Sequence, residues 1–419
     1  MRFTACFAAA ALATSALALP QQIPFGQPSS SLLLSPTLHH PAFSSFAPTL
    51  AQLPKQHFSK LEQHVAAYPD RRTLVVLQTG ERLEVSEGEK ALLVLQGLKF
   101  VDVTDDVEGA VAVYSKGSYP SKLSHNATQL EPLFKHISIK KMKAFISKFS
   151  DFYNRYYRSS YGRQSQQWLL EHLQSLHKEL NPSANITFTE FKHSTWDQRT
   201  IILHWAPSAA SNASDSVVIA GAHQDSTNSL PFLRAPGADD DGSGTTALVQ
   251  ILTSLLAAGW APTECAVEFH WYSAEEGGLL GSGEVARSYV REGKKVKAMW
   301  HSDVVAYVKP GTTPVVGLIT DNADPDLVDF MKLVINEYAE IPYAESQTHY
   351  PASDYGSWFK NGYPAVCTAE GKFEDSNPNM HSANDVWDRP EYSFEHIAQF
   401  VRVGLGYLVE LGGFEEVKK

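Results

Sequence analysis

Cysteine, basic charge and long apolar segments are all scarce in this 419-residue sequence, which has three cysteines and a formal net charge of −11. The acidic balance argues against a nucleic-acid partner, because nucleic-acid binding needs a basic face. After the first residues no apolar run approaches the roughly 20 residues of a membrane span, so no membrane partner is expected. Beyond Cys6, the remaining cysteines are Cys265 and Cys367, each in an apolar run typical of a buried strand. Two separate buried thiols are therefore expected rather than a disulfide.

Residues 1–19 are predicted to be a secretory signal. Arg2 supplies the positive start, an Ala- and Leu-rich segment follows, and small residues lie near a cleavage point. Sequons of the form Asn-x-Ser/Thr at Asn126, Asn185 and Asn212 fit a secretory route and are predicted glycosylation sites. We therefore expect an extracellular protein, with delivery to a vacuolar lumen as the alternative.

Residues 20–118 are predicted to form a pro-segment. Its first part, to about residue 50, is rich in Pro, Ser, Gln and Leu and has almost no charge, as in a linker. From about residue 57 a small α/β unit is indicated, with strands at 73–78 and 100–103 and a helix at 86–97. This unit has no cluster of catalytic residue types. The simplest interpretation is therefore a pro-segment that assists folding or covers an active site, and an accessory domain is the alternative. A cleavage point is predicted within 116–125.

Residues 119–419 are predicted to form the main domain. Apolar residues recur with helical spacing at 142–153, 169–176, 248–255, 282–291, 325–338 and 394–401. Strand-like runs alternate with them at 217–220, 266–272, 296–304, 315–320 and 364–368. Such alternation predicts an α/β fold with a mixed, largely parallel sheet and helices on both faces.

Side chains that bind metals follow several of these predicted strands. His223 and Asp225 follow the run at 217–220, and Asp240 lies in a Gly- and Asp-rich turn before the next helix. Glu275 and Glu276 follow the strand at 266–272. Because the carboxyl ends of parallel strands share one edge of an open sheet, these side chains are expected to meet in a metal site. Two further candidates for that edge are Asp303 and His381.

Each of these residues also has a structural interpretation. A single His or Asp is usually structural, and an acidic run such as 239–241 is usually a solvated turn that cannot point all its carboxylates inward. Five ligands of suitable types at one sheet edge are much harder to explain by chance. Asp225 is expected to accept a hydrogen bond from the far ring nitrogen of His223, which would fix the tautomer that a metal ligand needs.

The chain from about residue 129 to 412 resembles the secreted two-zinc aminopeptidase family, which includes bacterial leucyl and fungal leucine aminopeptidases. The region 87–104 also resembles the pro-segment of fungal members. The matching motifs keep their order and spacing over the whole domain, which makes the resemblance specific. They are 154–157, 221–226, 235–244, 274–277, Asp303 with Tyr307, 353–354 with 357–358, and 377–378 before His381.

The resemblance implies two zinc ions per subunit. His223 and Asp303 would bind one ion, Glu276 and His381 the other, and Asp240 would bridge them. Three protein ligands per ion leave an open position, as catalytic zinc requires. Glu275 would be the general base, since an uncoordinated carboxylate next to the ions can take a proton from water. The substrates would be peptides with a free amino terminus, the pro-segment would be a partner of its own enzyme, and a monomer is expected.

The substrate pocket departs from that of many relatives, which have two cysteines four residues apart in a disulfide. Here Thr348 and Ala352 occupy those positions, so the loop is expected to be looser or to be held by Pro351. Ala369 and Ser376 stand where some relatives have aromatic residues, and a preference for Leu or another bulky apolar first residue is expected. The predicted pocket residues are Val304, Tyr350, Ala369, Phe373 and Met380.

Two other functions remain open at this point. A related two-zinc carboxypeptidase or acyl-amino-acid hydrolase would trim or deacylate other substrates, although such enzymes usually contain a lid domain that is not apparent here. A non-catalytic binding protein on the same scaffold is the second alternative, because a fold alone does not determine function. Such proteins lose ligands or the base, whereas all six residues are present in this sequence.

Overall fold

The computed structural model describes residues 52–77, 80–106, 117–208 and 213–414. The predicted signal at 1–19, the predicted linker at 20–50 and the sequon at Asn212 lie outside the described residues, and so does residue 116 of the predicted cleavage region. The chain divides into compact units at 1–53 and 54–419, and the second contains everything described below. Among the described residues, no helix combines the length and apolarity that crossing a bilayer requires.

Residues 54–106, here called the N-terminal unit, form a small antiparallel sheet with two helices. The predicted helix at 86–97 is shorter in the structure, because Ser86 and Glu89 form a turn before it. The Ser86 N–H donates to the Glu89 carboxylate at 2.5 Å, and the Glu89 N–H donates to Ser86 Oγ at 3.2 Å. The sheet order is β2-β1-β3. The elements are α1 Lys55–Ala67, β1 Arg71–Val76, β2 Arg82–Ser86, α2 Lys90–Leu95 and β3 Phe100–Asp102.

The main domain is an α/β fold, as predicted. Its first residues already belong to it, since the Tyr119 hydroxyl donates to the Lys297 carbonyl at 2.9 Å. Its helices are α3 Glu131–Phe134, α4 Ile139–Phe149, α5 Ser160–Leu180, α6 Gly242–Ala258, α7 Leu280–Glu292, α8 Pro325–Tyr338, α9 Tyr355–Lys360 and α10 Phe394–Gly412. Its strands are β4 Ile186–Phe191, β5 Thr200–Trp205, β6 Ser216–His223, β7 Ala266–Tyr272, β8 Lys295–Ser302, β9 Val316–Ile319, β10 Tyr343–Ser346 and β11 Ala365–Ala369.

These strands form one mixed sheet in the order β10-β9-β11-β8-β6-β7-β5-β4. The centre is parallel, because β6 pairs in parallel with both β7 and β8, and β8 pairs in parallel with β11. Antiparallel pairing occurs between β4 and β5, between β5 and β7, and between β9 and β11. The prediction of a mixed, largely parallel sheet is confirmed.

Both faces of the sheet are covered by helices, and neighbouring residues of β8 show this directly. Trp300 packs against Tyr407 of α10 with ring centroids 5.8 Å apart. The next residue, His301, points to the opposite face, where its Nε2 lies 2.8 Å from Ser353 Oγ just before α9. The free thiols of Cys265 and Cys367 are buried in separate places in this layered core, as predicted.

The central helix α6 follows the Asp-rich turn and is buried along most of its length. Asp241 caps its first turn, since its Oδ1 accepts the Gly244 N–H at 2.9 Å. Gly259 ends it in the left-handed conformation, with φ of 71°. A helix buried on nearly all sides belongs inside the domain, and it follows directly on the Asp-rich turn.

Several element boundaries differ from the predictions. The strand predicted at 296–304 ends at Ser302, because Val304 has a φ of 48° and the chain leaves the sheet. Strands β4 and β5 were not predicted. In β4 the burial pattern never reaches a buried position, so this edge strand lacks the apolar alternation on which sequence patterns depend.

Candidate metal centre

The candidate site lies at the carboxyl edge of the central parallel strands. His223 is the last residue of β6, Glu275 and Glu276 come shortly after the end of β7, and Asp303 directly follows β8. Because β7, β6 and β8 are adjacent and parallel, their ends bring these side chains to one place. Ligands of open α/β sheets characteristically bind at this edge.

His223 is buried, with 1% of its surface exposed. Its Nε2 lies 3.2 Å from Asp240 Oδ1 and 3.5 Å from Asp303 Oδ1. Its Nδ1 lies 3.2 Å from the Asp225 carbonyl oxygen and 3.5 Å from Asp225 Oδ1. One ring nitrogen thus faces Asp225, and the other is directed towards the carboxylates, which is how a metal-binding imidazole is oriented.

The three successive acids 239–241 have different partners. Asp241 accepts backbone N–H groups from His223 at 3.1 Å, Gly244 at 2.9 Å and Val304 at 3.2 Å. Asp239 accepts the Ala306 N–H at 3.0 Å and the Asn377 side-chain amide at 2.9 Å. Only the middle residue directs its carboxylate at both histidines, with Asp240 Oδ1 facing His223 and Oδ2 lying 3.0 Å from His381 Nε2.

Asp225 also supports the turn after β7. Its Oδ1 accepts the Glu275 N–H at 3.1 Å, and its Oδ2 accepts the Glu276 N–H at 3.2 Å. Ala274, just before these residues, has a φ of 58°, a conformation that costs energy for a residue with a side chain. The two adjacent glutamates are thereby held in place, and Glu276 Oε2 lies 3.1 Å from His381 Nε2.

His381 comes from a loop late in the chain and also has a strained backbone, with φ of 56°. Its carbonyl oxygen accepts the Ser229 N–H at 3.1 Å. With Asp240 and Glu276 it forms one group of three metal-binding side chains. Asp241 lies within 4.8 Å of the metal-binding atoms of His223 and Asp303. We assign Asp240 to that second group instead, because backbone donors already hold the Asp241 oxygens.

The charges of this cluster favour a bound cation. Burial lowers the pKa of His223, but hydrogen bonds to Asp225, Asp240 and Asp303 raise it more, so that it lies well above its usual range. Burial likewise lowers the pKa of His381, but Glu276 and Asp240 raise it well above its usual range. Glu276 Oε1 and Asp303 Oδ1 are buried and have no hydrogen-bond partner among the described residues. Divalent cations would supply the positive charge that these oxygens require.

The metal-binding side chains open into a cavity of about 390 Å³, a volume suitable for a small ligand or side chain. All five predicted pocket residues, Val304, Tyr350, Ala369, Phe373 and Met380, line it together with Glu275. Burial raises the pKa of Glu275 well above its usual range. The cavity therefore combines apolar walls with a small set of acidic and imidazole groups at one end.

The loop that carries Tyr350 is held by Asp321. Its two carboxylate oxygens accept the N–H groups of Thr348 at 3.0 Å and His349 at 2.6 Å. The Thr348 hydroxyl then donates to the Tyr350 carbonyl at 2.6 Å. Pro351, the alternative to a looser loop, packs beside Gly356, since a Cβ added to Gly356 would lie 2.2 Å from the Pro351 Cβ.

Two supporting residues were not identified from the sequence. Asp385 accepts the N–H groups of Asp239 and Asp240 with separate oxygens, both at 3.0 Å. Arg155 is buried and donates to the carbonyls of Gln224 and Gly237, each at 2.8 Å. Arg155 lies in the motif 154–157 and Asp385 follows His381 by four residues, but nothing in a linear pattern shows that they orient the acidic turn.

The predicted glycosylation sites within the described residues are accessible. Asn126 and Asn185 are both exposed. Asn126 Oδ1 accepts the Gln129 N–H at 3.1 Å, and Asn185 directly precedes β4.

Residues 200–403 match the sequence profile described as "Peptidase family M28". The chain is 38% identical over 372 residues to Leucine aminopeptidase 1 of Colletotrichum graminicola, covering 86% of this chain and 90% of that relative. It is also 38% identical over 359 residues to a probable aminopeptidase of Saccharomyces cerevisiae, covering 81% of this chain and 93% of that relative.

Solved structures with the same architecture include the aminopeptidase LapA of Legionella pneumophila. It superposes with a TM-score of 0.71 and 22% sequence identity, covering 82% of this chain and 99% of LapA. LapB of the same bacterium superposes with a TM-score of 0.69 and 20% identity, covering 84% of this chain and 97% of LapB. At these identities the structural likeness shows the shared fold.

Proposed function

This chain belongs to peptidase family M28 and is a metallo-aminopeptidase, and on that premise we propose that it uses two zinc ions to remove a bulky apolar first residue from peptides. The observation that carries the proposal is the position of Asp240. Its two oxygens face two different histidines, at 3.2 Å and 3.0 Å. A carboxylate placed in this way is suited to bridge two cations.

His223 and Asp303 would hold one ion, Glu276 and His381 would hold the other, and Asp240 would be shared. This set of imidazole and carboxylate donors is typical of catalytic zinc and leaves positions open for water and substrate. When bound at paired sites, zinc lowers the pKa of water from about 15.7 towards 7 and polarises a substrate carbonyl.

Glu275 is the proposed general base. Its backbone is held by Asp225, and it lines the cavity beside the proposed ligands. Its carboxylate would take the proton of the attacking water and return it to the leaving amine. Asp225 would act as a positioning residue, since it contacts His223 and both glutamate N–H groups.

The proposed preference for Leu or another bulky apolar residue follows from the cavity walls. Val304, Tyr350, Phe373 and Met380 supply apolar surface close to the proposed ligands. A free amino terminus would add positive charge to an end of the cavity that is rich in carboxylates, which favours peptides with an unblocked first residue.

The proposal also covers processing and location. Residues 1–19 would direct secretion, or delivery to a vacuolar lumen, and Asn126, Asn185 and Asn212 would carry glycans. Residues 20–118 would be a pro-segment that remains a partner of its own catalytic domain, and the mature enzyme at 119–419 would act as a monomer.

One experiment tests the chemistry. Processed protein would be supplied with an apolar peptide beginning with Leu, in free, acetylated and carboxyl-amidated forms, and products would be followed by mass spectrometry. Bound zinc would be counted by elemental analysis. The proposal expects two zinc ions per chain and stepwise loss of residues that acetylation blocks and amidation does not affect. One zinc ion at full activity, or faster removal of Gly or Asp than of Leu, would contradict it.

A further inference from the structure

The N-terminal unit forms one side of the cavity that contains the proposed metal ligands. The segment from Gly97 to Phe100 lines it, together with Tyr350 and Phe373. This unit contributes none of the proposed ligands or the base. Its presence at this position therefore needs an explanation other than catalysis.

Lys99 places its ammonium group in an aromatic corner of the cavity. Tyr350 and Phe373 are nearly perpendicular, with an interplanar angle of 86° and ring centroids 5.9 Å apart. Lys99 Nζ lies 5.6 Å from the first centroid and 5.4 Å from the second. Both distances are within the range of cation–π attraction. Lys99 is exposed when the residue is taken as a whole, so the contact lies at the mouth of the cavity.

The aromatic corner belongs to the same cavity as Glu275, the carboxylate proposed as the general base. A peptide substrate brings the same chemical group, a primary ammonium, in its free amino terminus. Lys99 and such a substrate are thus attracted by overlapping groups of one cavity.

Buried ionic contacts anchor the N-terminal unit at this place. Glu87 accepts the Tyr157 hydroxyl at 2.5 Å and Arg158 Nε at 3.2 Å, both from the main domain. Lys90 contacts Glu87 at 2.9 Å and Asp102 at 2.7 Å. Glu87 and Lys90 are 1% and 4% exposed. The contact is therefore an interior interface and not a loose surface encounter.

Backbone contacts join the same unit to the turn that carries the catalytic glutamates. The Asp102 N–H donates to the Gly278 carbonyl at 3.0 Å, and Lys90 Nζ donates to the Gly277 carbonyl at 2.9 Å. An added Cβ on Gly278 would lie 2.8 Å from the Asp102 nitrogen and 3.1 Å from the Phe100 ring. The N-terminal unit thus packs directly on the turn that follows Glu275 and Glu276.

We propose that the aromatic corner formed by Tyr350 and Phe373 is a subsite for a primary ammonium group, and that Lys99 occupies it as an intramolecular competitor of the first residue of the peptide. The buried contacts of Glu87 and Lys90 hold the competitor in place. The inference rests on the proposed function, because competition requires that peptides bind in this cavity.

The test compares full-length, zinc-loaded protein with the variants K99M and K55M. Met keeps an unbranched apolar side chain at position 99 but removes the ammonium, and exposed Lys55 on α1 provides the matched control. The two cation–π contacts predict that K99M lowers KM for leucine p-nitroanilide about tenfold with little change in kcat. K55M should match the wild-type chain within about twofold.

A second measurement does not depend on turnover. Amine acylation followed by peptide mapping should modify Lys99 more slowly than Lys55 in the full-length protein. Leucine hydroxamate, a small ligand with a free amine, should speed the modification of Lys99 alone. The substitutions Y350L and F373L should have the same selective effect, because they remove the aromatic corner.

The outcomes separate the two proposals. One outcome is that no variant hydrolyses any free-amine substrate, while Lys99 is still protected from acylation and leucine hydroxamate still removes that protection. The proposed function then fails and the subsite remains. If leucine p-nitroanilide is hydrolysed but K99M leaves KM unchanged, the competitor role is wrong. Equal acylation of Lys99 and Lys55 under all conditions would overturn the subsite itself.

Discussion

Buried carboxylates occur in two regions of this molecule, and their partners differ. At the interface of the N-terminal unit, Glu87 and Asp102 contact Lys90 at 2.9 Å and 2.7 Å, so protein cations compensate them. At the sheet edge, Glu276 and Asp303 face histidine rings, and each has one buried oxygen without a hydrogen-bond partner among the described residues. Paired acids join two parts of the chain, whereas acids left without donors are available to a cation from outside.

The substitution Glu275→Gln tests the sheet edge most severely. Glu275 lines the cavity and is not a proposed ligand, so the variant should keep its zinc and lose the proton acceptor. We expect kcat to fall by about 10³-fold, within the range typical of a removed general base. Steady-state kinetics with parallel zinc analysis measures this. A variant with near-normal kcat would remove Glu275 from the mechanism, and one without zinc would make it a ligand.

The buried acids at the interface of the N-terminal unit should make the free energy of unfolding depend on pH. Burial raises the pKa of Glu87, but Lys90 and Arg158 lower it more, to about 2 from an ordinary 4.5. Because the pKa in the folded protein is depressed, the stabilisation is complete above about pH 4.5 and is lost as the pH falls towards 2. The shift corresponds to about 3 kcal/mol.

Urea unfolding from pH 6 to pH 2.5 measures this loss. In Glu87→Gln the acid-dependent decrease should be smaller than in the wild-type chain by most of that amount. The control Glu62→Gln changes an exposed acid on α1 and should follow the wild-type curve. Parallel curves for wild type and Glu87→Gln would show that the interface network does not depend on this carboxylate.

Asp225→Asn should have an intermediate effect. The change preserves size but replaces one acceptor of the two glutamate N–H groups with a donor. Residues that orient metal ligands typically alter metal affinity or activity by 10- to 100-fold, and we expect a loss in about that range. Zinc titration and kcat are the measurements. A loss as large as that of Glu275→Gln would place Asp225 among the groups that touch the reacting atoms.

Asp321→Asn should have the smallest effect. Asp321 holds the N–H groups of Thr348 and His349, and through them the loop that carries Tyr350. Loosening that loop should raise KM by about three- to tenfold with kcat almost unchanged, equivalent to one weakened hydrogen bond to a charged group. Proline or leucine p-nitroanilides compared in parallel would show whether the effect depends on the first residue. A selective fall in kcat would contradict a role limited to the pocket.

The sheet edge was largely predictable because its signals are local. A buried strand followed by His223, and another followed by Glu275 and Glu276, identify a ligand edge from their order in the chain. The resemblance to known enzymes then assigned roles to the same positions. Whether Asp239 or Asp241 would join Asp240 could not be read in this way, because their partners lie in distant loops at Ala306 and Val304.

The N-terminal unit shows the opposite case. Two of its three strands and one of its two helices were predicted approximately. The residues that contact the cavity were not, because Lys99 and Tyr350 are far apart in sequence. Lys99 lies between Leu98 and Phe100 in the connection from α2 to β3. Only the packing of the N-terminal unit against the main domain brings its ammonium to the aromatic rings. Sequence periodicity predicts which face of a single helix or strand is buried. It does not predict which distant elements contact each other.

The proposed ligands are spread over a long stretch of chain, from His223 at the end of β6 to His381 in a loop just before α10. Ions bound there would hold that stretch together only while the chain is folded, because folding assembles the site, so their binding free energy adds to the stability of the fold. Cys265 and Cys367 are both free, so no disulfide joins the part of the chain that the structure describes. Resistance to heat would then be governed by chelators and zinc supply, whereas reducing agents would have little influence on it.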